Sequence, residues 1–267
     1  MKPPAIILAG GRGTRLLSIT QDQVPKPMVK IPFNGDSYPF LSFMLGYLRE
    51  QGFREIMLCI NHLGSQIRSY YGDGSAIDMR IRYDDAGHAG TGARVKHALN
   101  QIESDEALIQ CGDVYHPLDI TRFLYQFRFH PRQLMQIAVH DHTASDAIEP
   151  NLYINSNGEL TGYKDNKSEG QHSVHGSCVL AVRRALRHEI PDAPDVSLTK
   201  DIYPLLINKK IAGVFRSNVD FFDVGTPIEY ARFCAYVAEH PAIPLISENH
   251  SAYQECSALD GVELAPT

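Results

Sequence analysis

Over the first hundred residues the apolar positions switch between two periods. Ala5-Ile6-Ile7-Leu8 is an unbroken apolar run of strand length, cut off by Gly10, Gly11 and Gly13, as expected for a strand buried on both faces of a parallel sheet. From Ser37 to Gln51 the residues Phe40, Leu41, Met44, Leu45 and Leu48 recur at helical spacing, with Gly52 as a stop signal. Glu55 to Ile60 is again a strand-length apolar run, Gln66 to Tyr71 fits a short helix, and Ile77 to Tyr83 alternates like a strand. The order β-α-β-α-β predicts a doubly wound α/β fold with a mostly parallel sheet.

Further along, a loop of small residues from Asp84 to Gly92 leads into a helix lined by Val95, Ala98, Leu99 and Ile102, and Ala107 to Cys111 forms a buried-strand pattern ending at Gly112-Asp113. A helix is expected over Ile120 to Phe129 and a strand over Leu134 to His140. Tyr153-Ile154 and Leu160 to Tyr163 flank Ser156-Asn157-Gly158, a hairpin signal that adds antiparallel strands. Val174 to Val182 reads as a strand, Pro191 to Pro194 as a loop, and Ser197 to Ile207 as a helix. Ile211 to Phe215 and Asp220 to Asp223 read as strands, and Tyr230, Phe233 and Val237 line a last helix that Thr226 caps and Pro227 opens. The pattern fades after His240. One domain over residues 1–240 and a tail over 241–267 are the expected organisation.

Composition changes this picture little. With 267 residues, 43% hydrophobic and 21% charged, the chain can bury a sizeable core without disulfides or structural metals. A net charge of −6 and the lack of a Lys/Arg run argue against a nucleic-acid footprint. No stretch reaches membrane-spanning length and no secretory h-region follows Met1, so a cytoplasmic protein is expected. The five cysteines stand far apart, which fits reduced, small hydrophobes. His140-Asp141-His142 has two potential metal ligands on one strand face but no second pair to complete a site.

Chemistry concentrates at strand ends. Three glycines after the first strand let the backbone turn sharply and present N–H groups, and Arg15 and Lys26 place cations around that turn. This is the make-up of a phosphate cradle. The P-loop pattern fails, because Arg15 stands where its second glycine is required, and the dinucleotide fingerprint fails for want of its third glycine. A nicotinamide oxidoreductase is therefore disfavoured. In an open parallel sheet ligands gather at the carboxyl ends of strands, where the glycine turn, the Gly90 loop and Asp113 are all expected.

Leu8-Ala9-Gly10-Gly11-Arg12-Gly13-Thr14-Arg15-Leu16 followed by Pro25-Lys26-Pro27 closely resembles the first signature of the sugar-1-phosphate nucleotidylyltransferases. The resemblance extends over about residues 5–235 and implies a Rossmann-like nucleotidyltransferase fold with an antiparallel extension on the acceptor side. It implies transfer of a nucleoside monophosphate from a nucleoside triphosphate to a sugar 1-phosphate, with release of pyrophosphate. The attacking phosphate oxygen is already anionic near neutrality, so no general base is needed. The catalysts expected for such a reaction are fixed cations, oriented N–H groups and a metal.

On this resemblance the backbone of Gly11 to Thr14 and Arg15 hold the β- and γ-phosphates, and Lys26 neutralises the α-phosphate or the leaving group. Asp113 and Asp223 resemble the family's Mg²⁺ ligands, and Mg²⁺ is satisfied by one or two carboxylates plus phosphate oxygens and water. Gly72-Asp73-Gly74 also contains a Gly-Asp step but follows a helix pattern, so it receives no role. The backbone of Leu8, Ala9 and Gly10, with Gly90 and Thr91, is implied in base recognition. Gly90-Thr91-Gly92-Ala93 is similar to the form in heptose-1-phosphate guanylyltransferases, one glycine shorter.

For the acceptor phosphate, Asn166 falls where relatives carry a lysine. Lys164 shares the strand face of position 166 and is favoured, whereas Lys167 is nearer in sequence but of opposite parity. His175-Gly176-Ser177 also departs from the family form in the presumed acceptor pocket, so the acceptor is expected not to be an ordinary hexose 1-phosphate. The alternatives are a cytidylyltransferase for a small phosphorylated non-sugar, or a non-catalytic regulatory subunit. The second could dispense with any of Arg15, Lys26, Asp113 and Asp223, and all four are present. No hexapeptide solenoid repeat occurs in these residues, and a homo-oligomer is possible.

Overall fold

The computed structural model describes residues 2–87, 90–141, 148–164 and 170–246. Strand β1 (Ala5–Leu8) is followed by a 3₁₀ turn and the single-turn helix α1 (Leu17–Thr20), then by strands β2 (Lys30–Phe33) and β3 (Asp36–Pro39) and helix α2 (Phe40–Glu50). Next come β4 (Glu55–Cys59), α3 (Gly64–Tyr71), β5 (Arg80–Asp84), α4 (Thr91–Asn100), β6 (Glu106–Cys111) and the two-residue β7 (Val114–Tyr115). The second half holds α5 (Ile120–Phe129), β8 (Met135–His140), the hairpin β9 (Leu152–Ile154) and β10 (Leu160–Tyr163), and the long β11 (His172–Arg183). It closes with α6 (Tyr203–Asn208), β12 (Ala212–Ser217), β13 (Phe222–Asp223) and α7 (Pro227–Glu239).

Strands β5, β4, β1 and β6 lie side by side and parallel, with Ala5 of β1 paired to Ile56 of β4 and Leu108 of β6. Antiparallel β11 joins β6 on one edge and β8 on the other, and β12 continues parallel to β8. The expected doubly wound, mostly parallel mixed sheet is present. Its apolar runs feed two cores, as period-two side chains require. Ala5 and Ile7 of β1 pack with α2, α3, α5 and α7, whereas Ile6 packs on the other face with α4, α6 and the β9–β10 hairpin.

Four expectations change. Residues 37–39, expected to open a helix, belong to β3 instead. Its partner β2 is joined to it through Asn34 and Gly35, both with positive φ (51° and 85°), a backbone that Asn-Gly adopts readily in a tight hairpin turn. The expected strand over Ile77 to Tyr83 starts only at Arg80, because Ser75–Ile77 form a 3₁₀ turn and Asp78 takes a φ of 56°. Strand β7 carries no periodic signal at two residues, yet it pairs antiparallel with β13.

Finally, the stretch 241–246 docks on α2. The N–H of Ile246 donates to the Ser42 carbonyl at 3.2 Å, and Ile246 is fully buried. Residues 247–267 of the expected tail lie outside the described residues. Cys59, Cys111, Cys178 and Cys234 are free thiols. No helix among the described residues is long and apolar enough to cross a membrane.

Candidate active site

Main-chain bonds at the carboxyl ends of three strands draw the candidate residues together. Beyond β1, Ala9 N–H donates to the Cys59 carbonyl and the Leu8 carbonyl accepts from Gly112 N–H, each at 2.9 Å. A Cβ on Gly112 would stand 3.0 Å from Ala9 Cα, so the turns after β1 and β6 touch. Among the described residues, no main-chain carbonyl accepts from the N–H groups of Gly11 to Thr14, and Gly11, Thr14 and Arg15 are exposed. Main-chain donors left without a main-chain partner in an exposed glycine turn are what an anion-binding turn requires.

Gly13 is left-handed at φ 63°, and a Cβ there would stand 3.0 Å from that of Lys26. The lysine stem thus lies across the turn. Pro25 caps and Pro27 sits within a short 3₁₀ turn, Lys26–Met28, that buries Lys26, whose Nζ donates to Asp113 Oδ2 at 2.5 Å. Pairing of β7 with β13 sets Asp223 opposite Val114, and Val224 N–H donates to the Asp113 carbonyl at 2.8 Å. Two carboxylates far apart in sequence are thereby neighbours on one ribbon.

Gly225 marks their meeting point. A Cβ at this position would stand 2.8 Å from Asp223 Oδ1, 2.9 Å from Arg15 Nη2 and 3.1 Å from Lys26 Nζ. Only a residue without a side chain leaves room for all three groups. Sequence reasoning used the Gly225-Thr226-Pro227 step for its cap alone, which is present: Thr226 Oγ1 accepts from Glu229 N–H and Pro227 opens α7. The signal for more was a glycine two residues after a candidate metal ligand.

Burial and the charge of Asp113 push the Asp223 carboxyl up to about 6, against the pull of Lys26 and Arg15, with buried Glu229 adding to the rise. Asp223 Oδ1 is buried with no hydrogen-bond partner among the described residues. An orphaned oxygen beside a second carboxylate calls for a cation, and an all-oxygen donor pair of this kind suits Mg²⁺ completed by phosphate oxygens and water.

Gly90 and Thr91 start α4 and make a seam with the 194–198 segment. Gly90 N–H donates to the Pro194 carbonyl and Leu198 N–H donates to Thr91 Oγ1 at 2.9 Å. A Cβ on Gly90 would collide with the Val196 carbonyl, so close backbone packing already requires this glycine. Asp73 accepts from the N–H and hydroxyl of Ser75 in a turn, in keeping with the absence of a role.

On the acceptor side the face-parity reading fails. Strand β10 ends at Tyr163, and Lys164 is left-handed at φ 51° with its ammonium 5.5 Å from the Tyr163 ring centre. Strand alternation among the described residues therefore stops at Tyr163. Asn166, Lys167, His142 and Cys256 lie outside the described residues. Ser177 is turned inward, hydrogen-bonded to His116 Nδ1 at 2.8 Å and to the Ala138 carbonyl at 3.1 Å. Its side chain is buried. No cluster of three metal-ligating side chains occurs among the described residues.

Residues 4–147 match the nucleotidyl transferase family, and the chain belongs to it. It is 26% identical over 245 residues to a UTP–glucose-1-phosphate uridylyltransferase of Synechocystis sp., covering 85% of this chain and 61% of that protein. It is 25% identical to a D-glycero-α-D-manno-heptose 1-phosphate guanylyltransferase of Aneurinibacillus thermoaerophilus, covering 85% and 95%. The crystal structure of HddC from Yersinia pseudotuberculosis complexed with GMP-PN superposes with a TM-score of 0.72 at 24% identity, covering 88% of this chain and 99% of that one. The expected nucleotidyltransferase fold is thus present.

Proposed function

We propose that the protein transfers a nucleoside monophosphate from a nucleoside triphosphate to a sugar 1-phosphate, in a Mg²⁺-dependent reaction that releases pyrophosphate and leaves a nucleotide sugar. The observation that carries this reading is the convergence of Arg15, Lys26 and Asp223 around Gly225, with Asp113 bonded to Lys26, beside a glycine turn whose N–H groups have no main-chain partner. The names of the Synechocystis and Aneurinibacillus relatives support the sugar-1-phosphate class.

In the proposed reaction an oxygen of the sugar phosphate attacks the α-phosphorus. The new P–O bond forms as the bond to the β-phosphate oxygen breaks, and pyrophosphate leaves with the electron pair. The N–H groups of Gly11 to Thr14 and the Arg15 guanidinium hold the β- and γ-phosphates, so charge developing on the leaving group meets fixed donors. Lys26 is anchored by Asp113 and lies where it can neutralise the α-phosphate. The backbone of Leu8, Ala9 and Gly10, with Gly90 and Thr91, borders the base. Held by Asp113 and Asp223, Mg²⁺ would supply the remaining charge neutralisation between triphosphate and incoming anion. Lys164 or Lys167 takes the acceptor phosphate.

The test is pyrophosphate release with ATP, GTP, CTP, UTP and dTTP, each against glucose 1-phosphate, mannose 1-phosphate, a heptose 1-phosphate and phosphocholine. Release that needs Mg²⁺, a triphosphate and a sugar 1-phosphate together is expected, with GTP and the heptose phosphate as the leading pair. Equal turnover of glucose 1-phosphate and every other acceptor would remove the idea of an unusual acceptor. Release only with CTP and phosphocholine, or none with any pair, overturns the proposal.

A further inference from the structure

Beside the glycine turn stands a buried cation that the reaction scheme does not use. Arg94, one turn into α4, is 5% exposed. Its Nη1 donates to the Ile60 carbonyl at 3.0 Å, just past β4, and its Nη2 donates to the Gly87 carbonyl in the segment leaving β5. A Cβ on Gly10 would stand 3.2 Å from the guanidinium carbon. One planar group thus touches the ends of three adjacent strands, β1, β4 and β5.

Gly10 belongs to the backbone assigned above to the base and the triphosphate, and Gly87 lies three residues ahead of Gly90. We infer that Arg94 is a positioning residue for nucleotide binding and base discrimination: it clamps the Gly87 segment to the end of β4 and sets the distance between that segment and the Gly10 turn. The inference rests on the proposed reaction and deepens it.

A buried guanidinium has to be hydrogen-bonded, and the bonds to Ile60 and Gly87 both go to main-chain carbonyls rather than to a surface carboxylate. They therefore fix backbone, and a fork of two N–H groups fixes it at a set angle that a lysine ammonium cannot reproduce. Gly10 leaves the guanidinium only enough space for van der Waals contact, so a side chain at position 10 and a shifted Arg94 are coupled. The cation also adds fixed positive charge next to a turn that receives a polyanion, at a depth where solvent screening is weak. Its two bonded nitrogens are taken by carbonyls, so Arg94 acts on the base through the segment it holds.

The experiment compares wild type, Arg94→Lys, Gly10→Ala and the double variant. Binding of a fluorescent nucleoside triphosphate analogue is read together with KM and kcat for each triphosphate. For Arg94→Lys, KM for the preferred triphosphate is expected to rise about tenfold while kcat changes less than threefold. The preference between bases should narrow, and KM for the acceptor should hold. Gly10→Ala should show the same pattern, and the double variant less than the product of the two losses.

Unchanged nucleotide affinity and base preference in a folded Arg94→Lys protein overturns the inference. So does a loss confined to kcat, or one that falls equally on the acceptor. If Arg94→Lys fails to fold, Arg94→Gln, which keeps an N–H donor without the fork or the charge, decides by the same readouts. Absence of turnover in wild type would instead strike at the proposed reaction, and the binding arm would still judge Arg94.

Discussion

On the phosphate side, each candidate group hangs from a main-chain turn that is itself pinned by main-chain bonds: Ala9 to Cys59, Gly112 to Leu8, Val224 to Asp113. On the acceptor side, β11 breaks register between Gly176 and Leu180, Cys178 is forced to a φ of 58°, and Lys164 follows its strand in a left-handed conformation. One half is rigid by construction, and the other is made of interruptions. A scaffold of this kind can keep one chemistry constant while its acceptor pocket is free to change.

Substitutions can break that contrast, and the largest effect belongs to the rigid half. Asp223→Asn should lower turnover by on the order of 10²–10³-fold and yet, in EDTA, raise the melting temperature by roughly 2–4 °C, because one of two neighbouring half-buried like charges is gone. Pyrophosphate release and a thermal melt on the same sample check both. Loss of activity together with a lower melting temperature would show that the ribbon depends on that charge. An intermediate effect is expected from Lys164→Ala, which should raise KM for the acceptor about tenfold with KM for the triphosphate unchanged. If both constants stay at wild-type values, Lys167 takes over the assignment.

The smallest effect concerns the joint between the halves. His116 follows β7, bonds Ser177 of β11 on one side and meets Ser217 and the Val219 carbonyl on the other. Burial pushes its pKa down to about 3, below the unfolded value near 6.5. The folded state therefore holds it neutral while the unfolded chain takes up a proton, so stability present above pH 6.5 is lost as pH falls toward 3. The loss should be about 2 kcal/mol between pH 7 and pH 5. Urea unfolding of wild type and His116→Gln across that range should show a shallower pH slope in the variant. Parallel slopes would mean that His116 is not held neutral.

The same contrast governs what could be read from the chain. The cradle was legible because its parts are contiguous, from Leu8 to Arg15 with Lys26 close behind. Asp113 and Asp223 were legible only through the family resemblance, since the ribbon that joins them is two residues long on each side and has no period to detect. The β2–β3 hairpin did carry a signal, Asn34-Gly35, which was masked by the helical spacing that begins at Phe40. The parity argument for Lys164 extended alternation past Tyr163, where β10 ends, and strand ends have no marker as plain as a helix cap. Arg94 offered nothing: an arginine on a helix reads as solvated until the three strand ends around it are seen.

The docking of residues 241–246 has a consequence for the order in which the molecule is assembled. Gly46, in the middle of α2, leaves so little room that a Cβ would stand 2.7 Å from the Leu245 nitrogen, and Phe40 and Phe43 of the same helix pack on Phe233 of α7. The cover for a helix made among the first fifty residues is therefore synthesised some two hundred residues later. During translation α2 is expected to wait for part of its cover until residues 241–246 have emerged.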